Sequence, residues 1–485
     1  MTETPAIPAS STHWGPRLWG TLIVLCGALF LDSLDISMIG VALPSIRAEL
    51  DMTTSALQWV VSGYVLGYGG LLLLGGRAAD LLGRRPVLLV SLAVFVVGSL
   101  LGGLVSTPEP LIVARFVKGV AAAFITPAAL SIITTTFHEG PARNKALTIF
   151  SVTGASGFSL GLVASGLLTD AGWRYPLLLP APIALIVLVA AIRLVPKHAR
   201  PQRNGHSYDL GGAITSTVAM LLLVYTIVQA PEAGWASPST IGSFVVVVAL
   251  LVAFVMIERR STHPLIRLGI LRSPALVRAN LGAMLFFGSY VGYQFVATQY
   301  MQRLAGWSAL QTALAFLPAA IFVVASSTRM ASIVGRFGTA PLILFGFIAL
   351  VAGYAVFLGA QVRPNLIGII LPSMLLLGIG TALNYTSLSI QAVSGVRDEE
   401  QGLASGLLQT SMQVGGAIGL AVVTAVVAAN ETHGATVSPD DLLASYFPGL
   451  AVVAGIAVLG MIVSLSGILA HRKQIKAARL GMASA

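Results

Sequence analysis

Two pairs of ionisable residues sit where a lipid environment should exclude them. Asp32 and Asp35 lie inside the apolar run centred near residue 30, and Arg115 and Lys118 lie inside the run centred near residue 122. Each pair is spaced by three, which puts both members on one helical face. An intramembrane charge costs several kcal/mol unless it is paired or wet, so such residues point first to ion or proton chemistry. Of the eighteen acids, only these two lie well inside an apolar run, and all seven histidines fall in tails or loops. If protons are carried, these acids are the carriers on offer. Counting 1.5 Å per residue from helix ends marked by Pro44 and Pro110 puts Asp35 roughly 13 Å deep and Arg115 roughly 8 Å deep. Asp32 and Lys118 come out at roughly 18 and 12 Å. The matched offset predicts two rungs, Asp35 with Arg115 and Asp32 with Lys118. Cations favour an ionised carboxylate and desolvation opposes it, so alternating water access would let such an acid load and release a proton. The alternative is a static ion pair that fixes helix packing.

The elements holding these residues are long and apolar. The chain has 485 residues, 56% hydrophobic and 9% charged, with a mean hydropathy of +0.88. Soluble domains carry about 25% charge, so the composition describes an all-α, polytopic membrane protein. Fourteen apolar segments centre near residues 30, 66, 95, 122, 157, 184, 220, 248, 288, 319, 350, 377, 415 and 457. With both termini cytoplasmic, about 22 of the 28 Lys and Arg fall in cytoplasmic loops and tails, as the positive-inside rule requires. The net charge of +10 therefore sets topology and does not signal nucleic acid. The lone cysteine, Cys26, excludes a disulfide framework or cysteine-metal cluster. No Walker A or H-E-x-x-H sequence occurs, which argues against direct ATP drive and a metal enzyme. No cofactor is expected beyond a proton gradient. The polar first 16 residues and full-length first span predict no cleavable signal. A formal glycosylation sequon at Asn430 is expected to be silent in a bacterium.

Between the second and third runs lies Gly76-Arg-Ala-Ala-Asp-Leu-Leu-Gly-Arg-Arg85. Gly76 and Gly83 allow tight turns, Arg77, Arg84 and Arg85 hold the loop inside, and Asp80 is the one acid among them. Two four-residue similarities suggest an internal repeat: Ser55-Ala-Leu-Gln58 with Ser308-Ala-Leu-Gln311, and Gly83 to Pro86 with Gly338 to Pro341. Gly335 then stands where the first half has Asp80.

The 76–85 loop resembles the signature G-x-L-A-D-R-x-G-R-R of the major facilitator superfamily, with Ala78 for Leu and Leu81 for Arg. The resemblance implies two six-helix bundles and a cytoplasmic latch formed by Gly76, Asp80, Gly83, Arg84 and Arg85. Two further spanners, Leu210 to Ala230 and Ile241 to Ile257, resemble the insert of the fourteen-helix drug:proton antiporters (QacA/EmrB-like). Leu34-Asp-Ile-Ser-Met-Ile-Gly-Val-Ala-Leu-Pro44 resembles their first-helix motif, with Ser37 for Thr and Gly40 for Asn. Arg115-Phe-Val-Lys-Gly119 resembles their fourth-helix R-x-x-Q-G, with Lys118 for Gln. Their fifth-helix antiporter motif, G-x-x-x-G-P-x-x-G-G, is altered here to Gly157, Gly161, Leu162, Ser165 and Gly166. Losing its proline removes the usual cause of a kink.

The implied organisation is an N-terminal tail at 1–16, a six-helix bundle at 17–200, two inserted helices at 201–262, a second bundle at 263–471 and a tail at 472–485. The implied function is proton-coupled export of hydrophobic drugs or antibiotic-like metabolites across a bacterial cytoplasmic membrane. Asp32, Asp35, Arg115 and Lys118 would couple the proton. Gln58, Tyr293, Gln294, Asn384 and Gln413 would line the substrate cavity. Expected partners are a small hydrophobic substrate and the bilayer, with the chain acting as a monomer. An importer on the same fold, and a polytopic enzyme or signalling protein, are the rival readings.

Overall fold

The computed structural model describes residues 14–137, 141–196, 210–261, 268–396, 401–431 and 438–482. Helices dominate, and no strand occurs among the described residues. In chain order they are α1 (Pro16–Leu50), α2 (Thr54–Leu82), α3 (Arg84–Leu104), α4 (Pro108–Thr136), α5 (Pro141–Ala171), α6 (Arg174–Leu194), α7 (Leu210–Ala233) and α8 (Pro238–Arg260). Then follow α9 (Pro274–Gln299), α10 (Ala309–Phe337), α11 (Thr339–Phe357), α12 (Leu371–Val393), α13 (Gln401–Asn430) and α14 (Pro439–Met482). Each predicted segment has its helix. Eleven of these carry a stretch long and apolar enough to cross a membrane. The other three, α2, α5 and α9, are of similar length and pack against α4, α1 and α13. Large apolar side chains such as Val90, Ile186, Ile214 and Val245 stand exposed on the outside, as a lipid-facing surface requires.

Local chemistry sets the helix ends. Thr53 and Ser308 cap α2 and α10 through their side chains, and Ser308 forms a capping box with Gln311. Gly83 and Gly338, with φ of 96° and 78°, end α2 and α10 and start α3 and α11; such angles suit glycine because it has no Cβ. Caps and end glycines share one offset of 255 residues. The Gly-x-x-Pro repeat is therefore structural. The Ser-Ala-Leu-Gln similarity is not: it runs two residues out of this register. Ser308 caps a helix, whereas Ser55 lies inside α2.

Two sets of six helices share one packing pattern. In the first, α2 and α3 pack on α4, and α1 on α5 and α6; in the second, α10 and α11 pack on α12, and α9 on α13 and α14. Glycines set the crossings, because small residues let backbones approach. Gly157 and Gly161 of α5 meet Phe30 and Leu34 of α1, and Gly415 and Gly419 of α13 meet Met284 and Gly288 of α9. These pairs give offsets of 258 residues for α5 and 254 for α1. Gly119 of α4 meets Tyr64, and Gly378 of α12 meets Ala319, an offset of 259 for α4. The bundles join along two seams, α5 with α10 and α2 with α13. The inserted α7 covers the second seam: Leu221 packs on Gly70, and the Tyr225 ring lies 5.7 Å from that of Trp59. α8 packs on α7 and stays outside both bundles.

A Cβ on Gly119 would lie 2.1 Å from the Tyr64 carbonyl oxygen, whereas one on Gly406 meets nothing within 4 Å. Gly119→Ala is expected to cost about 1–3 kcal/mol by overpacking, read as a lower thermal midpoint in detergent. Gly406→Ala is expected to be neutral or to gain up to about 1 kcal/mol of helix propensity.

Candidate functional site: a buried charge cluster on α1 and α4

Asp32, Asp35, Arg115 and Lys118 are all at least 97% buried and converge inside the first bundle. Asp35 accepts from Arg115 Nη1 at 2.5 Å through one carboxylate oxygen and from Lys118 Nζ through the other. Arg115 also donates from Nε to the Val60 carbonyl of α2 at 3.0 Å and lies 4.6 Å over the Tyr64 ring. The Lys118 ammonium lies 5.0 Å from the Phe95 ring centroid of α3. Asp32, one turn away on α1, meets no cation among the described residues. It accepts from the Tyr64 hydroxyl and, at 3.5 Å, from Thr126 Oγ1, which Tyr68 supports at 3.4 Å.

The first predicted rung, Asp35 with Arg115, is present. The second is not: Lys118 joins Arg115 on Asp35, and Tyr64 takes Asp32. Pro44 does not end its helix: α1 runs on to Leu50, which deepens Asp32 and Asp35 alike and leaves the offsets of the two rungs matched. Depth therefore does not choose between the acids; Asp35 takes Arg115 at one carboxylate oxygen and the long Lys118 side chain at the other, while Tyr64 takes Asp32. Tyr68, Thr126 and Phe95 were not singled out from sequence. The legible signal was Tyr68 one turn after Tyr64, on the same face.

The second bundle carries no copy of this cluster. By the glycine registers, Asp35 corresponds to Ser289, Asp32 to Phe286, Arg115 to Met374 and Lys118 to Leu377. Hydroxyls fill that core instead: Tyr293 and Ser373 share a 2.7 Å hydrogen bond, and Tyr354 donates to Ser289 at 3.4 Å. Among the described residues the buried charge cluster is confined to one half.

Among the expected cavity residues, Gln58, Gln294 and Gln413 reach the interface between bundles. Gln58 Oε1 accepts from Thr424 of α13 at 2.5 Å, Gln294 packs on Gly40 of α1, and Gln413 packs on Gly69 of α2. Tyr293 and Asn384 turn into the second bundle instead. Tyr293 stacks among Tyr354 and Phe357, and Asn384 packs on Gly346 of α11. Each was placed by depth along its helix, which does not reveal its face. Tyr385 of α12, by contrast, is 45% exposed.

In the latch loop, Gly83 makes the turn and Arg85 donates to the Ile192 carbonyl at 2.6 Å, capping the last turn of α6. Gly76 faces Pro127 of α4. The side chain of Asp80 lies outside the described residues. α5 runs unbroken through Leu162, the position of the missing proline. The exchanged Ser165 is buried and donates to the Met38 carbonyl at 2.6 Å, while Gly166 packs on α10 across the bundle interface.

Two similar six-helix bundles, the first holding a buried charge cluster, are the architecture of a membrane transporter of the alternating type. The family model described as Major Facilitator Superfamily matches residues 25–420, and the chain belongs to that family. It is 33% identical to the puromycin resistance protein pur8 of Streptomyces alboniger over 95% of this chain and 93% of that protein. It is 37% identical to the cephamycin export protein CmcT of Amycolatopsis lactamdurans over 90% of this chain and 91% of that protein. The crystal structure of the POT family transporter PepTSo superposes with a TM-score of 0.68 at 16% identity, covering 95% of this chain and 99% of that one. That last likeness concerns the fold.

Proposed function

We propose that this chain exports a hydrophobic, antibiotic-like compound in exchange for protons, by alternating access and without changing the compound chemically. The puromycin resistance and cephamycin export relatives support the cargo class. The distribution of Lys and Arg supports placement in a bacterial cytoplasmic membrane with both termini inside. The observation that carries proton coupling is the contrast between two acids one turn apart. Asp35 is clasped by two cations, and protonating it would strip both of their counter-charge. Among the described residues Asp32 is held by hydroxyls and not by a cation, so it exchanges a proton without breaking an ion pair.

With both acids ionised, the four charges sum to zero; with Asp32 protonated, the cluster carries one net positive charge. A change of one unit in a buried site is large where the effective dielectric is low. Loading of Asp32 from outside and release inside would return a proton for each compound expelled. Tyr64 ties this event to α2. α2 faces α13 in the second bundle, which supplies a route from protonation to the gate.

The test uses inside-out vesicles with an imposed pH gradient, a fluorescent proton reporter and a panel of cationic, neutral and anionic lipophilic compounds. Substrate-triggered proton release is expected for at least one class. Radiolabelled substrate entering the vesicles without any proton movement would overturn coupling, and chemical conversion without vectorial movement would overturn transport.

A further inference from the structure

Between described residues, every hydrogen bond or ion pair that crosses from one bundle to the other lies in the half opposite the α2–α3 turn. With the termini inside, that is the outer half, and this structure is closed there. The two seams close by different chemistry. On the α5–α10 seam, a Cβ at Gly166 would lie 2.6 Å from Ala313 Cβ and 2.9 Å from Leu310 Cα, so the helices touch almost backbone to backbone. On the α2–α13 seam, the equivalent positions are Thr424 and Gln58, by the same 258- and 255-residue registers. There the contact is a 2.5 Å side-chain hydrogen bond.

Glu431 extends this polar side outward. It sits just past α13, two turns beyond Thr424, and accepts from Arg303 of its own half at 2.8 Å. The same carboxylate oxygen lies 3.8 Å from Arg47 Nη1, near the end of α1 in the other half. Next to Arg303, Gln302 Nε2 donates to the Val41 carbonyl of α1 at 3.0 Å. The four side chains form one strip joining the outer part of α1 to the end of α13 and the segment just after α9.

We propose that Glu431 is the latch of the outer gate: a positioning residue that holds α1 through Arg47 and so sets the balance between inward- and outward-open states. The glycine contact on the opposite seam has no side chain to release, and it acts as the fulcrum. Polar contacts suit the opening side because water replaces them when they part. The pair is partly exposed, at 22% and 16%, so it is weak enough to break in every cycle. The proposal rests on alternating access alone, and neither the cargo nor the proton enters it.

The test is the distance between spin labels at Ser106 and Asp440, both exposed at the outer ends of the two halves, in a Cys26→Ala background in nanodiscs. No substrate or pH gradient is needed, so failure of the export reading would leave this result untouched. Glu431→Gln is expected to raise the long-distance population about two- to fivefold, the weight of one partly exposed ion pair. Arg47→Gln is expected to give the same shift from the other bundle, and Glu431→Asp to restore the wild-type balance. Transport assays would then show a changed KM for outside substrate with the thermal midpoint unmoved. Unchanged distances in Glu431→Gln and Arg47→Gln would overturn the latch, as would equal shifts in Glu431→Gln and Glu431→Asp. Should Glu431→Gln not fold, Arg47→Gln alone decides.

Discussion

Asp32→Asn is expected to abolish substrate-driven proton release while the protein stays folded and still binds its cargo. The amide is nearly isosteric with the carboxylate: its oxygen still accepts from Tyr64, and its NH2, in place of the second oxygen, donates to the Thr126 hydroxyl, so both groups that hold Asp32 keep a partner. No ion pair is lost, so the fold should bear the change. What disappears is the exchangeable proton. Asparagine also fixes the cluster at one net positive charge, the balance reached when Asp32 is protonated. Substrate affinity should therefore resemble that of the wild type at low pH. In the wild type, cargo and proton compete through the cluster, so binding should weaken as pH falls. In Asp32→Asn, binding should be flat with pH and within about tenfold of wild type, which is about 1.4 kcal/mol. Equilibrium binding of a fluorescent substrate over pH, with proton release in parallel, separates the two effects. Normal proton release in the variant would remove Asp32 from the coupling role.

Sequence alone was enough to find the charged residues but not to pair them. A charge inside an apolar run stands out because almost everything near it is Leu, Val, Ala or Gly, so Asp32, Asp35, Arg115 and Lys118 were visible at once. Their partners come from three other helices, and depth along a helix does not say which hydroxyl or cation reaches which acid. Pro44 reads as an end and lies inside α1, but correcting it deepens both acids equally. Lys118 pairs with Asp35 because that carboxylate accepts from a cation at each of its two oxygens, while a tyrosine hydroxyl takes Asp32. The fourteen helices were legible because hydropathy is a summed property of some twenty residues. Cavity residues were less so, because a glutamine in an apolar run reveals its depth and not its face. Gln58 reaches the other bundle, whereas Asn384 packs against its own. Glu431 carried no signal at all: it is one acid at a helix end, and only the approach of Arg47 from the other half gives it meaning.

Asp35→Asn should behave in the opposite way to Asp32→Asn and damage the fold first. Its carboxylate is the counter-charge of both Arg115 and Lys118, each at least 99% buried. Removing one partner of a buried ion pair costs about 3–5 kcal/mol, because the remaining charge stays desolvated. Here two cations would be stranded beside one distant acid. A large fall in thermal midpoint is expected, and any transport defect would follow from it. Lys118→Met in the same chain should restore much of the loss. It removes one stranded cation, keeps a side chain of similar length against Phe95 and Gly98, and leaves Arg115 balanced by Asp32. The double variant should then be more stable than the two single costs predict, with a coupling of about 0.5–3 kcal/mol. Additive costs would mean that Lys118 draws its stability from elsewhere, and the division of labour between the acids would fail with it. If the coupling is found, the rescued chain gives a sharper test than either single change. It keeps Asp32 and its hydroxyls intact, so it should recover proton release along with stability if Asp35 serves only to hold the cations.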